Sequence, residues 1–302
     1  MILIVGDLLL DFFYENDFVK NSPEANVPIA KPTKQIYRLG GAANVANNIN
    51  SLSKKYLLLS RIGRGSGDKL ILKKLSTSRI RYKLFNEKNY TVGIKTRYYI
   101  NSKQIVRIDR EKLTSIKKKT ENKIINYIIK HLKKFSILVI SDYNKGIISK
   151  RLFKKITELF LKENKLVITN PKKKDLRFYD GSNIIVPNEK EFNDFFKKKT
   201  KFNSKISSFF SNKFLSDLII TRGNKSLFHF NLNKKKKIFK IKKIKTFDVT
   251  GASDTFIGVL AVSILGKNSI KKSILNAISS AGIIVKKKYT SIISLKEYLK
   301  IK

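Results

Sequence analysis

The chain has 302 residues, 42% hydrophobic and 29% charged, with only 14 glycines and 5 prolines; it is long enough to bury a core and is neither collagen-like, low-complexity nor globally disordered. It has no cysteine, which excludes disulfides, thiol nucleophiles and cysteine-based zinc sites, and His131 and His229 form no metal motif. The formal charge of +43 comes from 54 lysines against 11 arginines spread along the whole chain, and this reads as a solvated surface under AT-biased coding, with no specific nucleic-acid partner.

The first residues are apolar but lack a basic leader, and Asp7 and Asp11 interrupt the run. They predict a strand at residues 2–5 rather than a signal peptide. No stretch reaches the roughly 18 uncharged apolar residues of a membrane span, so a cytoplasmic protein without a membrane partner is expected. A helix over 45–52, opened by Gly40-Gly41, leads to a strand at 56–62 and a helix over 68–75. A helix at 124–132 then leads to a strand at 137–140, and the step repeats with a helix at 152–161 and a strand at 166–168. Strands at 184–186 and 218–220 end in the turns Pro187-Asn188 and Thr221-Arg222-Gly223, and an apolar helix covers 256–265. This alternation predicts an α/β fold with a mostly parallel sheet between helical layers. Residues 26–30 and 90–108 carry β-branched and aromatic residues without an intervening helix, and read as a small β lid. Short lysine runs recur at 117–119, 172–174, 197–199, 234–237 and 286–288.

Such sheets bind ligands beyond the carboxyl ends of their strands. There is no GxxxxGK[ST] loop and no clean GxGxxG, which disfavours P-loop and dinucleotide chemistry. Two other glycine turns stand out. In Gly40-Gly41-Ala42-Ala43-Asn44-Val45-Ala46 small residues allow a close approach, and Asn44 could contact a sugar hydroxyl or serve only a tightly packed helix start. In Asp248-Val249-Thr250-Gly251-Ala252-Ser253-Asp254-Thr255 a helix N-terminus offers free N–H groups to an anion, and Asp254 could be a general base or a capping acid.

In order and placement these two motifs resemble those of the ribokinase-like sugar kinases, the PfkB family. Further segments narrow the likeness: Gly6-Asp7 with Asp11, Ser22-Pro23-Glu24-Ala25-Asn26-Val27-Pro28, Arg107-Ile108-Asp109, Ser141-Asp142-Tyr143-Asn144-Lys145-Gly146, Asn170-Pro171-Lys172, Pro187-Asn188-Glu189-Lys190-Glu191-Phe192 and Thr221-Arg222-Gly223. Together, from about residue 2 to the C-terminus, they resemble the kinase domain of the bacterial heptose 7-phosphate kinases. The resemblance implies a ribokinase-like three-layer α/β/α sandwich with lid segments near 12–37 and 90–110, in one kinase domain over 1–302 without the nucleotidyltransferase domain that many relatives carry. It implies ATP- and Mg²⁺-dependent phosphorylation of D-glycero-β-D-manno-heptose 7-phosphate at the anomeric hydroxyl, a step toward the ADP-heptose of lipopolysaccharide core, with a separate adenylyltransferase acting later. A homodimer formed through the lid is also implied.

By the same resemblance Asp254 matches the catalytic base, and the N–H groups of Gly251, Ala252 and Ser253 match the anion hole. Asn188, Glu189, Lys190, Glu191, Thr221, Arg222, Gly223 and Asn276 are nucleotide-side residues, with Glu191 serving Mg²⁺ directly or through water. Asn276 could equally be an exposed helical amide. Asp11, Gly41 and Asn44 match sugar contacts, and Arg107, Lys145 and Lys172 the 7-phosphate. Asp142 could bind sugar or orient Lys145. Four positions depart from the family pattern: Ser253 for Gly, Asn170 for Asp, and Ser226 and Tyr289 where relatives tend to have Gly. Ser253 raises the question whether a side chain there crowds a phosphate or strains the backbone. Another sugar or nucleoside kinase, or a decayed protein that binds polyanions, are the competing readings.

Overall fold

The structure is a computed structural model that describes residues 1–196, 202–211, 216–233, 235–241 and 244–301. The lysine run 197–199 and Lys234 lie outside the described residues.

The chain opens with β1 (Ile2–Gly6), β2 (Leu8–Asn21), β3 (Pro28–Gly41), α1 (Ala42–Leu52), β4 (Tyr56–Ile62), α2 (Ser66–Thr77) and β5 (Tyr82–Asn86). It continues through β6 (Gly93–Ile100), β7 (Lys103–Arg110), α3 (Lys118–His131), β8 (Ile137–Ser141), α4 (Lys150–Lys162) and β9 (Leu166–Asn170). Then come β10 (Ile184–Ile185), α5 (Glu189–Phe196), α6 (Phe202–Ser211), β11 (Asp217–Ile220), β12 (Leu227–Phe230) and β13 (Lys236–Phe239), and finally α7 (Ala252–Leu265), α8 (Ile270–Ile284) and α9 (Leu295–Leu299).

Among the described residues the strands form two sheets. The large one has nine strands in the order β13-β12-β11-β10-β9-β8-β1-β4-β5, and the small one four, in the order β3-β2-β6-β7. From β5 to β11 every pairing in the large sheet is parallel, and β12 and β13 add an antiparallel edge. The parallel strands are apolar on both faces because both are covered. Ile2 and Ile4 of β1 face the core under α1, α7 and α8, whereas Leu3 and Val5 face the core under α3, α4, α5 and α6. Helix α4 shows how the sequence makes such a layer. Ser149 Oγ caps it by accepting the Leu152 N–H at 2.9 Å, and Leu152, Phe153, Ile156 and Phe160 recur on its buried side.

The three-layer body and the small β lid agree with the sequence expectation. Helix α1 begins at Ala42, directly after Gly40-Gly41 as expected, with Ala42, Ala43 and Asn44 buried against the body. Two details differ. Residues 22–27 form a turn, so that β2 and β3 are long hairpin arms reaching from the body at Leu8 and Gly41 to the tip. The strands β5, β12 and β13 lie outside the sequence expectation, being runs of only four or five residues with charged or polar members among the apolar ones. Most of β5 is exposed or half-buried, and β13 is exposed except at Phe239.

The chain runs outward from β1 to β4 and β5, and later outward in the other direction from β8 to β11. The reversal falls between β1 and β8, and a crevice at such a point is where open α/β sheets take ligands.

Candidate active site

The turns after β1 and β8 meet in this crevice. Asp7 is fully buried, and its carboxylate accepts backbone N–H bonds from Tyr143 and Lys145 at 2.9 and 3.0 Å on Oδ2 and from Ile147 at 3.2 Å on Oδ1. Burial, with Asp142 adding to it, pushes the Asp7 pKa up to about 6 against those hydrogen bonds. Asp7 thus ties the 143–147 loop to the end of the central strand.

The loop carries Tyr143 to Asp254. Helix α7 opens at Gly251, whose φ of +84° is left-handed, and a Cβ there would lie 2.8 Å from Asn44 Nδ2. Only glycine combines that backbone with that contact. One turn in, the Asp254 carboxylate accepts from Asn44 Nδ2 at 2.9 Å on Oδ2 and from the Tyr143 phenol at 2.5 Å on Oδ1. The close approach of α1 to α7 makes the first bond possible. Gly258 sits against the Asn48 Cβ, while Asn48 Oδ1 accepts from Thr255 Oγ1 at 3.0 Å. Burial raises the Asp254 pKa to about 7, with Asp11 adding to the rise while Tyr143, Asn44 and Lys172 oppose it. A carboxylate with that pKa can accept a hydroxyl proton near neutral pH.

The N–H groups of Gly251 and Ser253 meet no acceptor among the described residues, whereas that of Ala252 donates to the Val249 carbonyl at 3.2 Å. The three-donor anion hole of the sequence reading is therefore reduced here to two free donors, because the Ala252 N–H closes the turn. Ser253 is exposed, helical and free of positive φ. Its backbone carries none of the strain that a side chain in place of glycine raised, since the left-handed residue is Gly251.

A cavity of about 650 Å³ adjoins this helix start, lined by Asn188, Thr221, Arg222, Gly223, Ala252 and Ser253 at its polar end. Leu275 and Ile278 of α8, with Phe256 and Ile241, line its apolar part. The volume lies in the ordinary range for small-molecule sites. Gly223 takes φ +59° at its rim. Arg222 donates to Glu189 Oε1 at 2.8 Å, which also pairs Glu189 into this turn, and Lys190 is exposed. Asn276 is elsewhere. It is buried, donates to Ser263 Oγ at 3.1 Å, and does not line the cavity, so it links α8 to α7 and neither flanks a nucleotide nor stands in solvent. Its helical phase puts Leu275 and Ile278 on the cavity side instead.

Glu191 holds Lys172 Nζ at 2.6 Å on Oε1 and the Asn188 N–H at 2.9 Å on Oε2. No group of three or more His, Asp or Glu side chains that could hold a metal exists among the described residues. A Mg²⁺ ion fits here only as an ion carried mainly by phosphates and waters, with Glu191 beside it.

The lid supplies the opposite wall. Asp11 is buried, paired with Arg97 Nη1 at 2.8 Å and accepting from Thr290 Oγ1 at 2.9 Å. Gly41 starts α1 with φ +60°, packed against the Asp7 carbonyl. Arg107 is half-exposed on β7 and pairs with Asp109, which also holds Lys95; Lys95 in turn pairs with Glu111, and Glu111 with Lys145 at 2.5 Å. This ionic chain joins Arg107 and Lys145, while Lys172 stands apart with Glu191. Asp142 does not orient Lys145. Its oxygens take Tyr179 OH at 2.7 Å and the Asn144 N–H at 2.6 Å, with Lys173 Nζ at 3.5 Å.

The pattern of the pfkB family carbohydrate kinases matches residues 1–297. The chain belongs to that family. Like the rest of the family it is a carbohydrate kinase, and curated relatives named "Bifunctional protein HldE" are similar to it over nearly its full length. That of Helicobacter pylori strain J99 is 30% identical over 98% of this chain and 65% of its own length. That of Blochmanniella pennsylvanica is 32% identical over 96% and 61%. The chain thus spans under two thirds of these relatives. Among solved structures, a ribokinase of Thermotoga maritima superposes with a TM-score of 0.75 at 20% identity, covering 99% of this chain and 98% of that one. Phosphofructokinase-2 of Escherichia coli gives 0.78 at 14%, covering 99% and 97%. Both have the fold described above.

For this pfkB kinase, sequence reasoning missed Tyr143, Arg97, Thr290 and Asp7 as parts of the site. Tyr143 and Asp7 lay inside quoted motifs at strand ends, and that position was their signal. Arg97 and Thr290 carried none, since one is a lid-strand cation and the other a turn threonine.

Proposed function

We propose that this kinase transfers the γ-phosphoryl group of ATP to the anomeric hydroxyl of D-glycero-β-D-manno-heptose 7-phosphate, giving the 1,7-bisphosphate. The observation that carries the reading is Asp254, a buried carboxylate with a pKa of about 7 at the start of a helix whose residue Ser253, with a free N–H group, lines the cavity. The acceptor oxygen bonds to phosphorus as the bond from phosphorus to the ADP oxygen breaks, and the hydroxyl proton passes to Asp254. The Gly251 and Ser253 N–H groups, with the helix dipole, stabilise the charge on the transferring group. Asn44 and Asp11 hold sugar hydroxyls, and closure of the lid excludes water. Mg²⁺, when bound with the nucleotide, neutralises phosphate charge. Thr221, Arg222, Gly223 and Asn188 form the phosphate end of the nucleotide cavity.

The heptose 7-phosphate assignment is supported by the Ser22–Pro28 and Ser141–Gly146 motifs and by the relatives named HldE. A phosphorylated acceptor is further supported by Lys145 and Arg107, whose carboxylate partners Glu111 and Asp109 are exchangeable for a phosphate dianion. The cytoplasm, where ATP and sugar phosphates meet, is the corresponding compartment, and no helix among the described residues is long and apolar enough to cross a membrane. A separate adenylyltransferase follows in this reading. The test is an acceptor panel with Mg²⁺-ATP: heptose 7-phosphate, unphosphorylated heptose, fructose 6-phosphate and ribose. Turnover of the first well above the others, with its KM raised about tenfold or more by Lys145→Met, is expected. Preference for an unphosphorylated sugar contradicts the assignment.

A further inference from the structure

We propose that Tyr143 is a positioning residue for phosphoryl transfer, its phenol O–H clamping Asp254 Oδ1 so that the carboxylate faces the acceptor in one fixed orientation. The inference rests on the reading of Asp254 as the base.

The geometry makes a continuous chain. Directly after strand β1 comes Asp7, whose two oxygens take three N–H groups of the 143–147 loop. That loop places the Tyr143 O–H 2.5 Å from Asp254 Oδ1, while Asn44 from α1 takes Oδ2 at 2.9 Å. Three separate parts of the fold, the central strand, the β8 loop and helix α1, thus converge on one carboxylate. An aspartate side chain has several staggered χ1 wells and a broad χ2, and two donors on opposite oxygens select one orientation among them. Each oxygen keeps a second lone-pair direction for a substrate hydroxyl.

A phenol donor also favours the charged form of the group it clamps. Of the other groups that face this pair, Asp11 on β2 opposes ionisation of Asp254 and Lys172 after β9 favours it, while Asp11 and Glu191 bear on Tyr143 itself. The Tyr143 hydroxyl is held far above its ordinary range by burial and by Asp254, so it stays protonated and donates. Removing the O–H leaves a buried carboxylate with one donor fewer, and its proton is then harder to lose.

The test is the pH dependence of kcat for ATP-dependent heptose 7-phosphate phosphorylation, in wild type, Tyr143→Phe and Asp254→Asn. For Tyr143→Phe the acid limb moves upward by about one pH unit or more. Its kcat is low by about tenfold or more near pH 7 and regains only part of that loss above pH 9, because the carboxylate is no longer held in one orientation, with KM for ATP unchanged. An unshifted profile, or wild-type kcat at every pH, overturns the proposal. A 3-fluoro analogue of Tyr143, a stronger donor with nearly the same shape, covers the case of a poorly folding Phe variant. It moves the limb downward, and no shift or an upward one contradicts the clamp. Asp254→Asn separates the two levels. If that variant retains wild-type turnover the base reading itself fails, whereas an inactive Asp254→Asn beside an unshifted Tyr143→Phe sinks only the clamp.

Discussion

Asp254 owes its pKa of about 7 mainly to burial, which disfavours its charge more than Tyr143, Asn44 and Lys172 restore it. The folded carboxyl therefore holds its proton more tightly than the unfolded one, whose value is about 4. Ionisation then opposes folding, and stability is lost as the pH rises from about 4 through about 7. Asp254→Asn removes this loss. At pH 8 the variant should be more stable to urea by about 4 kcal/mol, with the difference vanishing near pH 4, while transfer falls by about 10³-fold or more. A wild type more stable than the variant at pH 8 would show that the buried charge is better compensated than the geometry indicates. Gly251→Ala is the complementary change. Its Cβ meets Asn44 Nδ2 at 2.8 Å on a left-handed backbone, and turnover should fall on the order of 100-fold, measured as kcat with the fold checked by circular dichroism.

At the scale of elements, what the sequence made legible was what repeats. The ILIV and ILVI runs of β1 and β8 and the spaced apolar residues of α4 declare a double-faced parallel sheet, because burial on both sides leaves no alternation to misread. The glycine turn at 251 and Asn44 were legible because small residues and a polar tip at a helix start have few other uses. The partners of these residues were not, since Asn44 and Asp254 are 210 positions apart and no local pattern encodes that meeting. Lys172 and Lys173 show the limit clearly. Adjacent and identical in type, one turns outward to Glu191 and the other inward to Asn144 and Asp142. The lid is fastened by such long-range contacts. Asp11 pairs with Arg97 and Thr290, the Phe13 and Tyr289 rings lie 4.9 Å apart, and the Tyr289 O–H donates to Glu15 at 2.9 Å. Tyr289 pays for its place with φ +62°. Replacing Arg97 by Met strands the buried Asp11 carboxylate and should cost about 3 kcal/mol, largely regained when Asp11→Asn is added. A double-mutant cycle by urea unfolding measures this, and additivity of the two losses would mean that the pair is not coupled.

For the molecule as a whole, the surface is strongly cationic and the outer lid face is apolar. Tyr14 and Tyr98 stack 4.9 Å apart there, beside exposed Val106 and Ile108. These residues alternate with Asp11, Phe13 and Arg97, which face the site, so the sheet is apolar on its solvent side as well. We propose that a second copy of the chain covers it. Sedimentation of the wild type at about 10 µM (in the micromolar range of ordinary specific association) should give a dimer. Val106→Asp with Ile108→Asp should give a monomer, and a monomeric wild type would contradict the proposal. The charge of +43 will retain the protein on heparin in low salt whether or not it is active, so retention carries no weight for function.

In the proposed reaction Asp254 takes the proton of an anomeric hydroxyl on a phosphorylated heptose. The most direct measurement is phosphorus NMR of the product formed from heptose 7-phosphate and Mg²⁺-ATP. A new anomeric phosphate resonance alongside the retained 7-phosphate, formed by wild type and absent with Asp254→Asn, is expected. ADP formation without that resonance, or the same resonance from Asp254→Asn at the wild-type rate, would contradict it.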